Sequence, residues 1–164
     1  MAKAAAHHVP KGLHTITPHL MLDDAAKAID WYKRAFGAEE LSRHLSPDGK
    51  ITHAELKIGD SHFFANDVMM GAKGPHALGG SPVALWLYVD NSDTLFNRAV
   101  GAGAKVTMPL ADQFWGDRGG ALTDPAGHTW WIATRKEDLT EDEMNHRAQE
   151  FFKQMASQPQ PAHR

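Results

Sequence analysis

Lys33-Arg34-Ala35-Phe36-Gly37-Ala38 and Asn97-Arg98-Ala99-Val100-Gly101-Ala102 close two helical patterns in closely similar letters, and the elements around them recur in the same order. Before the first string, Asp23 or Asp24 can cap a helix whose Ala25, Ile29, Tyr32 and Phe36 recur at helical spacing, with Gly37 placed to end it. Upstream, residues 14–22 alternate at strand period, with Ile16, Leu20 and Leu22 on one side and Thr15, Thr17, His19 and Met21 on the other. Downstream, residues 40–46, 51–58 and 62–65 read as a meander, punctuated by Pro47-Asp48-Gly49 and Gly59-Asp60. Around the second string lie a strand at 82–89, a helix at 90–103 and strands at 105–108, 119–123 and 128–134. The turn Asp124-Pro125-Ala126-Gly127 joins the last two. Two βαβββ units in tandem predict an α+β fold.

The repeat fits one domain over residues 13–136, with modules at about 13–68 and 82–136 and a loose, glycine-rich stretch at 69–81 between them. Residues 1–12 read as a flexible N-terminus and 158–164 as a disordered tail. Thr140 with Glu143 forms a capping box for a helix over 140–157. Its Met144, Ala148, Phe151 and Met155 fall on one face, a stripe suited to packing on the parent domain or on a sister subunit.

With 164 residues and 42% hydrophobic content, the chain can build one well-covered core. A net charge of -3 supplies no broad positive field, so neither nucleic acid nor a membrane surface is an expected partner. The absence of cysteine removes disulfides, thiolate metal sites and a Cys nucleophile, and with only a three-alanine apolar run before His7 and His8, cytoplasm is the expected location. His7, His8 and His163 read as solvated.

These strings resemble the vicinal oxygen chelate superfamily of glyoxalases, bleomycin resistance proteins and extradiol dioxygenases, and within it PhnB-like proteins. The likeness rests on Thr17-Pro18-His19-Leu20 leading to Asp24-Ala25-Ala26, on residues 28–38, and on Trp115-Gly116-Asp117-Arg118 followed by residues 122–130. It implies paired βαβββ modules forming an open, U-shaped mixed sheet, assembled as a homodimer. It also implies four metal-ligand positions, one on the first and one on the last strand of each module. By spacing these fall on Thr17, on Ala84, on Trp131 and between Phe64 and Asp67, where only Asp67 offers a carboxylate. Catalytic sites of this kind normally need about three protein ligands. No cofactor is therefore expected. The alternative is a divalent metal on relocated ligands, His19, His53 and Asp67.

Alternation assigns the cup. Val83, Leu85, Leu87 and Val89 belong to the helix-packing face, and Ala84, Trp86 and Tyr88 to the other. Trp130 and Ile132 go to the core, Thr129, Trp131 and Ala133 to the cup. Trp86 and Trp131 also suit an ordinary core. Thr17, His19, His53 and Tyr88 could orient a flat or apolar ligand, and Trp115 could close one end. Arg118 could grip an anionic group on that ligand, or pair with Asp117 or Asp124. The expected function is binding of an apolar or aromatic small organic molecule, as bleomycin resistance proteins sequester drugs. The alternatives are a metal-dependent lyase, isomerase or dioxygenase, an acid/base enzyme using His19, His53 or Asp67, and a dimer whose cup its own side chains fill.

Overall fold

The computed structural model of the protein describes residues 4–157. Its twelve elements, all but the short helix at Pro75–Leu78, follow the predicted order. They are β1 (His19–Leu22), α1 (Ala25–Phe36), β2 (Glu39–Leu45), β3 (Ile51–Ile58), β4 (Ser61–Asp67), α2 (Pro75–Leu78), β5 (Ala84–Tyr88), α3 (Ser92–Gly101), β6 (Lys105–Asp112), β7 (Asp117–Thr123), β8 (Thr129–Arg135) and α4 (Glu141–Ser157). Each module forms its own four-stranded sheet, β1-β4-β3-β2 and β5-β8-β7-β6, with a parallel pair at one end and two antiparallel pairs beyond it. The two modules repeat one topology.

Local chemistry explains the helix ends. Asp24 caps α1 by accepting from the Lys27 amide, and Asn91 caps α3 by accepting from the Thr94 amide. Gly37 stops α1 in the left-handed region, at φ 69°, where a side chain would be strained. The α1 face predicted from spacing, Ala25, Ile29, Tyr32 and Phe36, is buried throughout.

The modules pack helix face to helix face around Trp130 of β8, which lies against Tyr32 and Phe36 of α1 and Phe63 of β4. Backbone oxygens tie the halves together. Trp31 Nε1 donates to Ala102 O at 2.8 Å, and Arg98 Nε donates to Ala35 O at 2.7 Å. His128 Nε2 lies 3.1 Å from Met21 O. Each sheet thus buries one face against the shared core, and the other face of each is left for a site.

Several boundaries differ from the sequence reading. Pairing with β4 begins only at His19, so Ile16 lies outside the strand and is 85% exposed, and Thr17 falls in the lead-in. Val83 precedes β5 and is exposed, while Leu85, Leu87 and Val89 do pack on the core. The stretch 69–81, expected to be loose, contains the short helix α2, which begins at Pro75 and ends at Gly79. β6 runs on to Asp112, and Pro109 is accommodated because β6 is an edge strand with register shifts. α4 forms as expected, but none of its residues is buried, and Phe151 and Met155 of the predicted stripe are exposed. The tail at 158–164 and His163 lie outside the described residues.

Candidate functional site

Strand register identifies the free face of each sheet. In the second sheet Trp86 pairs with Trp131, Tyr88 with Ala133, Ala121 with Trp131 and Asp117 with Arg135, so Trp86, Tyr88, Asp117, Ala121 and Trp131 share one face. Leu122, Trp130 and Ile132 occupy the opposite, buried face. Trp115, in the turn before β7, folds onto the free face. Ring centroids lie 4.9 Å apart for Trp86 and Trp131, 5.9 Å for Trp115 and Trp131, 6.3 Å for Trp86 and Trp115, and 6.1 Å for Trp86 and Tyr88. Trp131 lies buried at the base of this aromatic cluster, a shallow recess on the sheet face. Trp86 and Tyr88 remain 46% and 59% exposed as its walls.

Asp117 closes the recess at one side and is only 2% exposed. Its Oδ2 accepts from Tyr88 Oη at 2.8 Å and from Trp115 Nε1 at 3.0 Å. Its Oδ1 and the indole Nε1 of Trp131 are both buried without a hydrogen-bond partner among the described residues. Desolvation of its hydroxyl, then the hydrogen bond to Asp117 and that carboxylate's charge, raise the Tyr88 pKa and keep the phenol neutral.

Asp117 was expected only as a possible partner for Arg118, and its place in the recess was not. β7 starts two residues earlier than the alternation suggested, and Asp117 thereby takes the recess face while Arg118 takes the helix face. Arg118 therefore does not line the cup. Its guanidinium forks onto both carboxylate oxygens of Asp93 in the first turn of α3, at 2.7 Å each, and reaches Asp112 Oδ1 at 3.2 Å. It bonds neither Asp117 nor Asp124.

The free face of the first sheet carries His19, His44, His53 and Phe64. His53 contacts Phe64 at 4.7 Å and lies 6.4 Å from His19 and 6.2 Å from His44. His62, read from the sequence as a polar strand end, pairs with Glu55, Nδ1 to Oε1, at 2.7 Å. Glu55 and His62 are diagonal neighbours across β3 and β4, a relation visible only once the register is known. A cleft of about 230 Å³ between the modules is lined by Thr17, His62, Phe63, Trp86 and Trp130 among others. Within the described residues no aromatic ring on the free face of one sheet contacts a ring on the free face of the other.

The usual metal positions do not hold ligands. The Thr17 hydroxyl donates to His14 O, Ala84 and Trp131 have no suitable donor atom, and both oxygens of Asp67 are occupied by the amides of Ala25 and Ile51 at 2.7 Å. The relocated set does not assemble either: among the described residues no three His, Asp or Glu side chains gather closely enough to hold an ion. Asp67, positioned to tie α1 and β3 to the end of β4, is a structural carboxylate.

A family model described as Glyoxalase/Bleomycin resistance protein/Dioxygenase superfamily matches residues 12–132. The Mycobacterium tuberculosis protein Rv0887c is 46% identical over 134 residues, 79% of this chain and 79% of its own length. The solved Arabidopsis thaliana protein At5g48480 is 28% identical with a TM-score of 0.62, covering 74% of this chain and 98% of that one. The fold is also that of the PhnB protein from Bacillus cereus, with a TM-score of 0.59 at 21% identity over 74% of this chain and 99% of that one. α4 lies beyond the matched segment. No helix among the described residues is long and apolar enough to cross a membrane.

Proposed function

This chain belongs to the Glyoxalase/Bleomycin resistance protein/Dioxygenase superfamily, and from that premise we propose that it binds a small, largely flat or apolar organic molecule on the aromatic face of its second sheet. The carrying observation is the aromatic recess of Trp86, Tyr88, Trp115 and Trp131, with the half-exposed rings of Trp86 and Tyr88 at its edge. Exposed aromatic walls with a few buried polar atoms are how proteins orient apolar ligands. The donor set argues against the metal chemistry of the superfamily's enzymes, since its four ligand positions offer no free carboxylate or imidazole. A homodimer completes this reading. A second copy would cover the open faces, and His19, His53 and Phe64 of one protomer are suited to form the wall opposite Trp86 and Trp131 of its partner. The cysteine-free composition suits action in the cytoplasm.

The test is intrinsic fluorescence during titration with a flat, neutral aromatic probe such as N-phenyl-1-naphthylamine. Saturable quenching, reduced at least severalfold in affinity by Trp86→Ala, is expected. Unaltered binding by that variant would place the site elsewhere.

One contact favours a second reading. A carboxylate bound to one imidazole nitrogen fixes the ring and leaves the other nitrogen for proton transfer, which is the arrangement of Glu55 and His62 at the inter-module cleft. A turnover assay on any candidate substrate should then lose activity in His62→Gln and keep ligand binding.

A further inference from the structure

The recess is more than an apolar surface, because a buried carboxylate is wired into two of its rings. Asp117 accepts from the Tyr88 hydroxyl and from the Trp115 indole N–H, and each such bond draws electron density onto the ring that donates it. Trp86 and Tyr88 stand side by side, 6.1 Å apart and 32° from parallel, half in solvent, with the carboxylate behind them. A neutral apolar ligand gains nothing from that charge. A cation over the ring faces is attracted both by their quadrupoles and by the carboxylate.

We infer that the recess selects organic cations, molecules joining an alkylated or protonated amine to a flat apolar body. The inference rests on the binding function proposed above and names the ligand class for the same face. Arg135, the register partner of Asp117 on β8, is the nearby positive charge, and its Nε is engaged by Asp138 Oδ1 at 2.7 Å, which offsets it locally. Among the described residues Oδ1 of Asp117 has no hydrogen-bond partner, so only the two ring donors bond to this carboxylate.

Two isosteric probes separate charge from shape: (4-hydroxyphenyl)trimethylammonium and 4-tert-butylphenol, titrated calorimetrically into the full-length protein. The cation should bind about tenfold tighter or better, the ratio expected of a partly desolvated cation–π contact reinforced by a carboxylate. Asp117→Asn keeps the shape and removes the charge, so it should cut the preference for the cation severalfold, leaving the part due to the ring faces, while the neutral probe is unaffected. Should this variant fold poorly by near-ultraviolet circular dichroism, Tyr88→Phe retains the ring without its link to Asp117 and should narrow the ratio. Equal or tighter binding of 4-tert-butylphenol by the native protein, or a preference for the cation left undiminished by the substitution that folds, overturns the cation selectivity and leaves the binding function standing. Binding of neither probe overturns both.

Discussion

Asp124 is the residue on which both modules converge. It is buried, and its carboxylate accepts from Tyr32 Oη at 2.8 Å, Trp130 Nε1 at 2.7 Å, the Ala126 amide at 2.9 Å and the His128 amide at 3.0 Å. Tyr32 comes from α1 of the first module, so one side chain both shapes the β7–β8 turn and anchors the other half. Asp124→Ala strands four donors together, and loss of about 3–5 kcal/mol is expected from urea unfolding, in the range for breaking a buried charged network. Tyr32→Phe removes one donor and keeps the ring, at about 1 kcal/mol. Burial, then the charge of Asp124 and the hydrogen bond to it, raise the Tyr32 pKa well above its ordinary value. The unfolded chain therefore ionises first, near pH 10, and stability intact below that value falls as the pH climbs beyond it. The slope should be shallower in Tyr32→Phe, with a residue from Tyr88, whose pKa is also raised and which is the only other tyrosine. An equal slope in both proteins would mean that Tyr32 is no more protected than in the unfolded chain.

Among the elements, α4 is held most lightly. It has no buried residue, and its ties to the body are the Arg147–Glu137 ion pair and the packing of Phe151 and Phe152 on Phe114, 4.9 and 6.1 Å between centroids. Such a segment opens at far lower free energy than the sheet beneath it. Hydrogen exchange should find the α4 amides exchanging well before those of β7 and β8, and equal protection would show that a partner covers the helix. The turn after Asp124 is the opposite case. Gly127 sits at φ 93°, and a Cβ there would lie 2.8 Å from Pro75 Cβ of α2. Gly127→Ala should cost about 1–3 kcal/mol in thermal or denaturant unfolding. Legibility divides along the same line. The α1 and α3 patterns, the meanders and the Asp124–Gly127 turn could be read because periodicity and turn chemistry are local. The start of β7 could not, since a strand begins where a neighbour pairs with it, and this moved Asp117 into the recess and Arg118 out of it. Alternation could put Trp86, Tyr88 and Trp131 on the strand faces turned from the helices and leave Trp115 at one end, whereas the Glu55–His62 contact depends on register and could not be read.

At the scale of the molecule, each sheet buries one face on the common core and leaves the other open. Trp86, Tyr88, Phe152 and Met155 together expose more large apolar side chains than an isolated small domain needs. The modules cannot cover these faces for each other within one chain, because the contacts joining them, Trp31 to Ala102, Arg98 to Ala35 and Tyr32 to Asp124, lie on the helix side. Two copies related by a twofold axis can cover both at once, as isologous contacts do. Light scattering should therefore give twice the 18.0 kDa of the chain at micromolar concentration. If folding and association are linked, the unfolding midpoint should rise with protein concentration and tryptophan emission should shift to the red on dilution, as Trp86 returns to water. A mass of 18.0 kDa with a midpoint independent of concentration would make the open faces a property of the monomer, and any ligand would then bind to one sheet alone.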